Sequence, residues 1–240
     1  MAIEQARPTA NRSRSVRLKR WLRDVYGDHR VRRLKALRTQ LSCKLDVGPW
    51  RRLGLNGLDV RLADSMGWPR GGTFIELGGN DGLQQSNSFL LERELNWRGI
   101  LIEGVPELAA EAVRNRPKAT VVCAAVTGAT DAGVIAMNDI DLISTVSDDP
   151  GQLYVATTTL SSVIDLISNG DAPDLLTIDV EGFEMDVLAG LDLSRHRPRW
   201  ILVETKKREE VSSTLTGYAM VAQLSHHDYL YTDGREVDPL

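Results

Sequence analysis

Cysteine is scarce in this chain: Cys43 and Cys123 are the only two in 240 residues. They lie far apart, and neither belongs to a CxxC pair or a Cys/His cluster, which argues against a zinc site. Two lone thiols fit a reducing compartment, so a cytoplasmic location is expected. Long apolar runs are also missing, and none approaches the roughly 18 residues that cross a bilayer. The basic N-terminus has no apolar stretch behind its charges, so a secretory signal is not expected. The body shows no internal repeat and no low-complexity segment. What remains is a chain with 42% hydrophobic residues, enough for a core. Its length fits one α/β domain with an appendage.

The net charge of −4 conceals an asymmetry. Residues 1–52 carry 15 Lys and Arg against 4 Asp and Glu, a net of +11; the remaining 14 basic and 29 acidic residues give −15. A basic helical extension over 1–70 therefore joins an acidic domain over 71–240. Residues 1–15 lack apolar periodicity and read as disordered. Apolar residues recur at helical spacing over 16–25 and 29–42, and a short helix is expected at 58–66. The basic helices fit a helical cap, an oligomer contact, or a peripheral contact with anionic lipid at the inner membrane face. They have no aromatic interleaving and no nucleic-acid motif, so nucleic acid is not expected as a partner.

From Thr73 onward, strand and helix signals alternate. Strands are expected at 73–77, 99–103, 120–126, 175–180 and 200–204. Helices are expected at 86–96, 107–115, 160–167, 184–188 and 209–215. The stretch 128–155 is looser, with an edge strand at 134–137 and a polar loop or lid at 144–151. Residues 218–224 and 229–231 read as a closing antiparallel pair. Repeated β-α units imply a mostly parallel sheet covered on both faces, with the ligand outside the carboxyl ends of its strands.

Those strand ends carry the chemistry. The first runs Thr-Phe-Ile-Glu-Leu-Gly-Gly-Asn-Asp-Gly from Thr73 to Gly82. Glycine lets backbone amides approach a ligand closely. The second strand ends on Glu103, placed where a ribose would lie. The third delivers Cys123 and Ala124, the fourth Asp179 and Glu181, the fifth Glu204. The turn departs from the GxGxxG pyrophosphate pattern, since Asn80 and Leu83 stand where its later glycines would be. It reads instead Glu76-x-Gly78-x-Asn80-x-Gly82, a form suited to S-adenosylmethionine.

These residues resemble the FkbM family of S-adenosylmethionine-dependent methyltransferases. The resemblance rests on Phe74 to Gly82, on Trp97 to Glu103 with Pro106, on Leu175 to Glu184 running on to Gly190, and on Ile201 to Glu204. Two residues depart from the usual pattern: Gly104 replaces a proline, and Ser161 replaces an aspartate. The resemblance implies a Rossmann-like methyltransferase fold, a mostly parallel seven-stranded sheet with a C-terminal antiparallel hairpin. It implies that Gly78, Gly79, Asn80 and Asp81 line the methionine end of the cofactor, with Glu76 at the head of the turn. Glu103 then holds the ribose, and Cys123 with Ala124 borders the adenine. Ser86 either bonds the cofactor carboxylate or caps the first helix.

Asp179, Glu181 and Glu204 end neighbouring strands and are expected to converge. One of them acts as a general base on an acceptor hydroxyl, or two or three hold a Mg²⁺-like ion. His226 is a further candidate base, against its reading as a polar hairpin loop. The reading is an O-methyltransferase for a hydroxyl of a sugar, glycolipid or secondary metabolite, with possible homo-oligomers. The alternatives are a cofactor-binding regulatory protein without catalysis and an NAD-dependent oxidoreductase.

Overall fold

The computed structural model describes residues 54–128, 133–140, 143–146 and 153–235, together with Leu37, Arg38 and Leu41. The chain divides into two compact units, Met1–Arg51 and Arg52–Leu240. Leu37, Arg38 and Leu41 are helical, inside the expected helix at 29–42. The expected tail at 1–15 and the helix at 16–25 lie outside the described residues.

The second unit begins with α1 (Leu58–Ser65). Its Leu58, Leu62 and Ala63 are buried with Phe74, Leu91, Trp97 and Leu202. This helix was expected in the N-terminal extension; its apolar stripe instead belongs to the core of the α/β body. The body then runs β1 (Thr73–Leu77), α2 (Phe89–Leu95), β2 (Arg98–Glu103), α3 (Pro106–Asn115) and β3 (Thr120–Cys123). After β4 (Ala125–Val126) come β5 (Val134–Ile140), β6 (Ile143–Val146), β7 (Leu153–Thr158) and α4 (Leu160–Ile167). The chain continues through β8 (Leu175–Ile178), α5 (Glu184–Ala189), β9 (Trp200–Glu204), α6 (Arg208–Thr214), β10 (Ala219–Gln223) and β11 (Asp228–Thr232).

Seven strands form one sheet in the order β10-β11-β9-β8-β1-β2-β3. The five from β9 to β3 are parallel, while β11 runs antiparallel to β9 and to β10. The expected sheet and closing hairpin are both present. Buried apolar residues occupy both faces. Ile75, Ile102, Ile178 and Val203 face α4 and α5, and Phe74, Leu101, Leu175 and Leu202 face α1 and α2. From β1 the strand order runs outward through β2 and β3, and on the other side through β8 and β9. The switch point therefore lies between β1 and β8, where such sheets take ligands.

A second, four-stranded sheet of order β4-β7-β5-β6 differs from expectation. The single strand expected at 120–126 is split. Its first part pairs with β2 up to Cys123, and Ala125–Val126 leaves the main sheet to pair with β7. The expected short edge strand at 134–137 extends to Ile140 and pairs with β6 and β7 on its two sides. Residues 144–146, expected in a polar loop, are strand, and the rest of that stretch to 151 lies outside the described residues. Ala125 and Val155 are buried against Ile135, so the small sheet has its own apolar seam.

Candidate active site

A cavity of about 1020 Å³, open mouth included, lies at the carboxyl ends of β1, β2 and β8. Its first wall is the turn after β1, with Gly78, Asn80, Gln84, Gln85 and Asn87. The second is Glu103 with Ile102 and Leu108, continued by Ala124, Ala125 and Val126. Asp179, Val180, Glu181 and Phe183 make the third, and Ile135 of the small sheet closes one side.

The turn exists because two glycines take left-handed backbone and a close approach. Gly78 has φ 75°, and a Cβ there would stand 2.2 Å from the Asp179 carbonyl oxygen. Gly82 has φ 80°, and a Cβ there would meet Arg116 Cγ at 2.8 Å. Between them, Asn80 takes φ 47°, which asparagine tolerates better than most residues. The Asn80 amide donates to Glu103 Oε2 and the Val105 amide to Glu103 Oε1, both at 2.8 Å. These bonds fix the Glu103 carboxylate at the cavity wall.

Behind the turn stands a buried charge network that sequence reading missed. Arg116 ends α3 and is fully buried. Its Nε and Nη2 donate to Glu92 Oε2 at 3.0 and 2.9 Å. Its Nη1 donates to the Gly82 carbonyl and Ser86 Oγ, and its Nη2 to Ser88 Oγ. The five donors of the guanidinium are thus matched by five bonds, and its carbon lies 5.5 and 5.4 Å from the Phe74 and Phe89 ring centres. The Glu76 carboxylate accepts from the hydroxyls of Ser86 and Ser88 and from the Asn87 amide.

Of the residues expected to form the site, Glu76, Gly78, Asn80, Glu103, Ala124, Asp179 and Glu181 line the cavity. The others stand behind it or outside it. Gly79 donates its amide to the Ile102 carbonyl. Asp81 does not line the cavity; its Oδ1 accepts the Leu83 and Gln84 amides and so braces the turn. Ser86 precedes the observed start of α2 and gives its proton to Glu76, while accepting from Arg116 and the Phe89 amide. Its hydrogen-bonding capacity is filled within the wall, so the contact expected with the cofactor carboxylate is not formed by this geometry. Cys123 is exposed and off the wall, and burial together with Glu103 and Glu107 pushes its thiol up. His226 is exposed in the β10–β11 turn, its ring 4.5 Å from that of His227, and it does not line the cavity.

The acids of β8 and β9 do converge. Asp179 and Glu204 lie side by side and influence each other. Burial raises Asp179 most, followed by the charges of Glu204, Glu181 and Asp228, and together they push its carboxyl up to about 8. Burial also raises Glu204, with Asp228 and Glu181 adding to it. Asp228 sits opposite Glu204 in the β11–β9 register and was not anticipated. Its own carboxyl is raised by burial against the opposing effects of Ser225 and Arg61. With its carboxyl raised to about 8, Asp179 holds its proton at neutral pH, beside Glu204. Glu181 is exposed at the mouth with φ 49°, backed by Gly182 at φ 102°. Among the described residues no group of three or more His, Cys, Asp or Glu side chains is arranged to hold a metal ion, so the Mg²⁺ alternative finds no support in this geometry.

A doubly wound sheet with a switch-point cavity and an acid at the end of its second strand is the arrangement of a nucleotide-type cofactor site. The chain belongs to the FkbM methyltransferase family: residues 76–231 match its Methyltransferase FkbM domain. No curated protein matches the chain. Among solved structures, it is similar to a TehB-like SAM-dependent methyltransferase from Corynebacterium glutamicum, at 15% identity over 73% of this chain and 86% of that one, with a TM-score of 0.41. It is similar to a precorrin-6y C5,15-methyltransferase from Geobacter metallireducens at 14% identity, over 74% and 87% of the two chains, with a TM-score of 0.41. A mutant of MtNAS matches at 14% identity over 72% of this chain, with a TM-score of 0.40, and the chain spans only 57% of its length.

The residues present fit S-adenosylmethionine. Glu103 offers a fixed acceptor for ribose hydroxyls, and Leu108, Ala124 and Val126 offer an apolar wall for a purine. Gly78 leaves the main chain of the turn bare of side chain.

Two outcomes follow from these contacts. Arg116→Met leaves Glu92 buried without its counter-charge and is expected to cost about 3–5 kcal/mol in denaturant unfolding; a loss below about 1 kcal/mol would contradict the clamp. Asp179 releases its proton near 3.8 in the unfolded chain and near 8 in the folded one. Between those values the folded chain holds a proton that the unfolded chain has lost, so this group lowers stability increasingly as pH rises. The melting temperature of Asp179→Asn is therefore expected to exceed that of the wild type at pH 8, and the gap to close towards pH 5. A gap that does not change with pH would contradict the raised carboxyl.

Proposed function

We propose that the protein is an O-methyltransferase acting on a hydroxyl of a sugar, glycolipid or secondary metabolite. The observation that carries this reading is the convergence of Asp179 and Glu181, which line the cavity's third wall, with Glu204 beside Asp179. When bound, the cofactor supplies an electrophilic methyl group on a sulfonium sulfur. A neutral hydroxyl is a poor nucleophile and must lose its proton as its oxygen attacks. An ordinary carboxylate is too weak a base for that work. A carboxyl raised towards neutral pH takes the proton more readily. In its ionised form, which grows in as pH rises through about 8, Asp179 faces the cavity and takes the hydroxyl's proton, with Glu204 behind it as the neighbour that keeps it basic. Glu181, at the mouth, accepts from further hydroxyls of the acceptor and orients it. Asp228, beside Glu204, helps keep the pair raised.

The charge of +11 over residues 1–52 supports an acceptor presented at an anionic surface, as a lipid-linked sugar would be. No described helix is long and apolar enough to cross a membrane.

The test is transfer of labelled methyl from S-adenosylmethionine to a panel of soluble sugars, lipid-linked sugars and hydroxylated metabolites, followed by analysis of the methylated atom. Asp179→Asn and Glu204→Gln are each expected to lower kcat by about 10²–10⁴ on the true acceptor. The wild-type rate is expected to rise with pH through about 8. Full rate in both variants, or methyl found on carbon or nitrogen, would overturn the proposal. Transfer to soluble acceptors alone would remove the lipid-linked class.

A further inference from the structure

Glu184 opens α5, is 3% exposed, and stands behind the cavity wall rather than in it. Its Oε1 accepts the Gly182 amide at 2.6 Å, and its Oε2 accepts from the Thr205 hydroxyl at 3.4 Å. Gly182 directly follows Glu181, and Thr205 directly follows Glu204. Thr205 is equally buried and carries the connection further. Its amide donates to the His227 carbonyl at 2.8 Å, and its Oγ accepts the Lys207 amide at 3.0 Å. His227 directly precedes Asp228. One run of hydrogen bonds therefore passes a single residue away from Glu181, Glu204 and Asp228. Among the described residues no ion pair holds Glu184, although three further acids stand near it. A buried acid in that position costs folding energy, so its bonds serve another end.

We propose that Glu184 is a positioning residue that ties the segments after β8 and β9 together and so holds Glu181 and Glu204 beside Asp179. The proposal rests on the reading of these acids given above and goes beyond it by naming what keeps them together. Strand pairing does not do this alone, because the register of β8 with β9 ends at Ile178 and Val203. The acids lie past that last pair, where like charges push them apart. On the β8 side the chain also turns through left-handed backbone, with φ 49° at Glu181 and 102° at Gly182. The Gly182 amide is fixed within that turn by Glu184. On the β9 side, Thr205 is held from three directions, by Glu184, Lys207 and His227. Glu184 is the one side chain that touches both segments.

The experiment follows the Asp179 carboxyl by carbon-13 NMR in two variants of the full chain. In Glu184→Ala the tie is gone and the neighbouring acids can move away. Asp179 is then expected to titrate about one pH unit or more below its wild-type value of about 8. In Glu184→Gln the charge is gone but the tie can persist. The amide carbonyl accepts from Gly182, and the NH₂ donates to Thr205 Oγ, which keeps a lone pair beside the Lys207 bond. Asp179 is expected to stay near its wild-type value there. Titration calorimetry with S-adenosylhomocysteine is expected to give affinities within about twofold of wild type in both variants, since Glu184 does not line the cavity. An equal fall in both variants would mean that the charge of Glu184 acts and not the tie, and would overturn the assignment. No fall in either variant, or a fall joined to lost S-adenosylhomocysteine binding, would overturn it as well. Should the alanine variant fail to fold, Thr205→Val severs the tie from the β9 side at similar shape. The same fall is expected there, and its absence overturns the proposal. A wild-type chain that does not bind S-adenosylhomocysteine fails the methyltransferase reading, and the carboxyl titrations still decide the tie.

Discussion

The site depends on a backbone contact between two strand ends. At Gly78 the turn after β1 comes so close to the Asp179 carbonyl that a Cβ would stand 2.2 Å from it. That contact is possible because β1 and β8 are parallel neighbours at the switch point, with Leu77 beside Ile178. On the other side, the Gly78 and Gly79 amides both donate to the Ile102 carbonyl of β2. Three strand ends are therefore tied together through one glycine pair. The cofactor wall and the acidic wall of the cavity meet at that point.

The same geometry gives Glu103 and Asp179 different tasks. Glu103 is met by two backbone N–H groups, which hold it as a hydrogen-bond acceptor. Asp179 meets burial and three neighbouring acids instead, which favour its protonated form. Between these lies Glu76, whose oxygens are taken up by Ser86, Asn87 and Ser88. It works as a bracket for the segment behind the turn, although it also reaches the cavity wall. Arg116 braces this bracket from the end of α3, so a side chain outside the cavity helps decide where the turn sits.

Much of this was legible in the chain. Acids at regular strand ends, and glycines at Gly78 and Gly82, report a backbone that must bend where a ligand sits, and such residues are placed by the period of the strands. The parallel sheet followed from β-α alternation. The hidden parts have a common cause. Arg116 looks like a helix-ending surface charge, since only tertiary packing shows its partners Glu92, Ser86 and Ser88, 24 to 30 residues away. Asp228 was hidden in the closing hairpin, because only the antiparallel register with β9 sets it beside Glu204. The small sheet escaped because its strands pair with one another outside the β-α alternation, around a seam of Ala125, Val155 and Ile135. The helix α1 was misassigned because the basic composition ahead of it masks an ordinary amphipathic stripe.

The account stands or falls on the proton that Asp179 holds beside Glu204. Carbon-13 NMR of side-chain carboxyls in the full chain, assigned with Asp179→Asn, reads that proton directly. The account predicts an Asp179 carboxyl that titrates near 8 in the wild type and moves down when Glu204 is replaced by glutamine. A carboxyl titrating near 4, indifferent to Glu204, would contradict it.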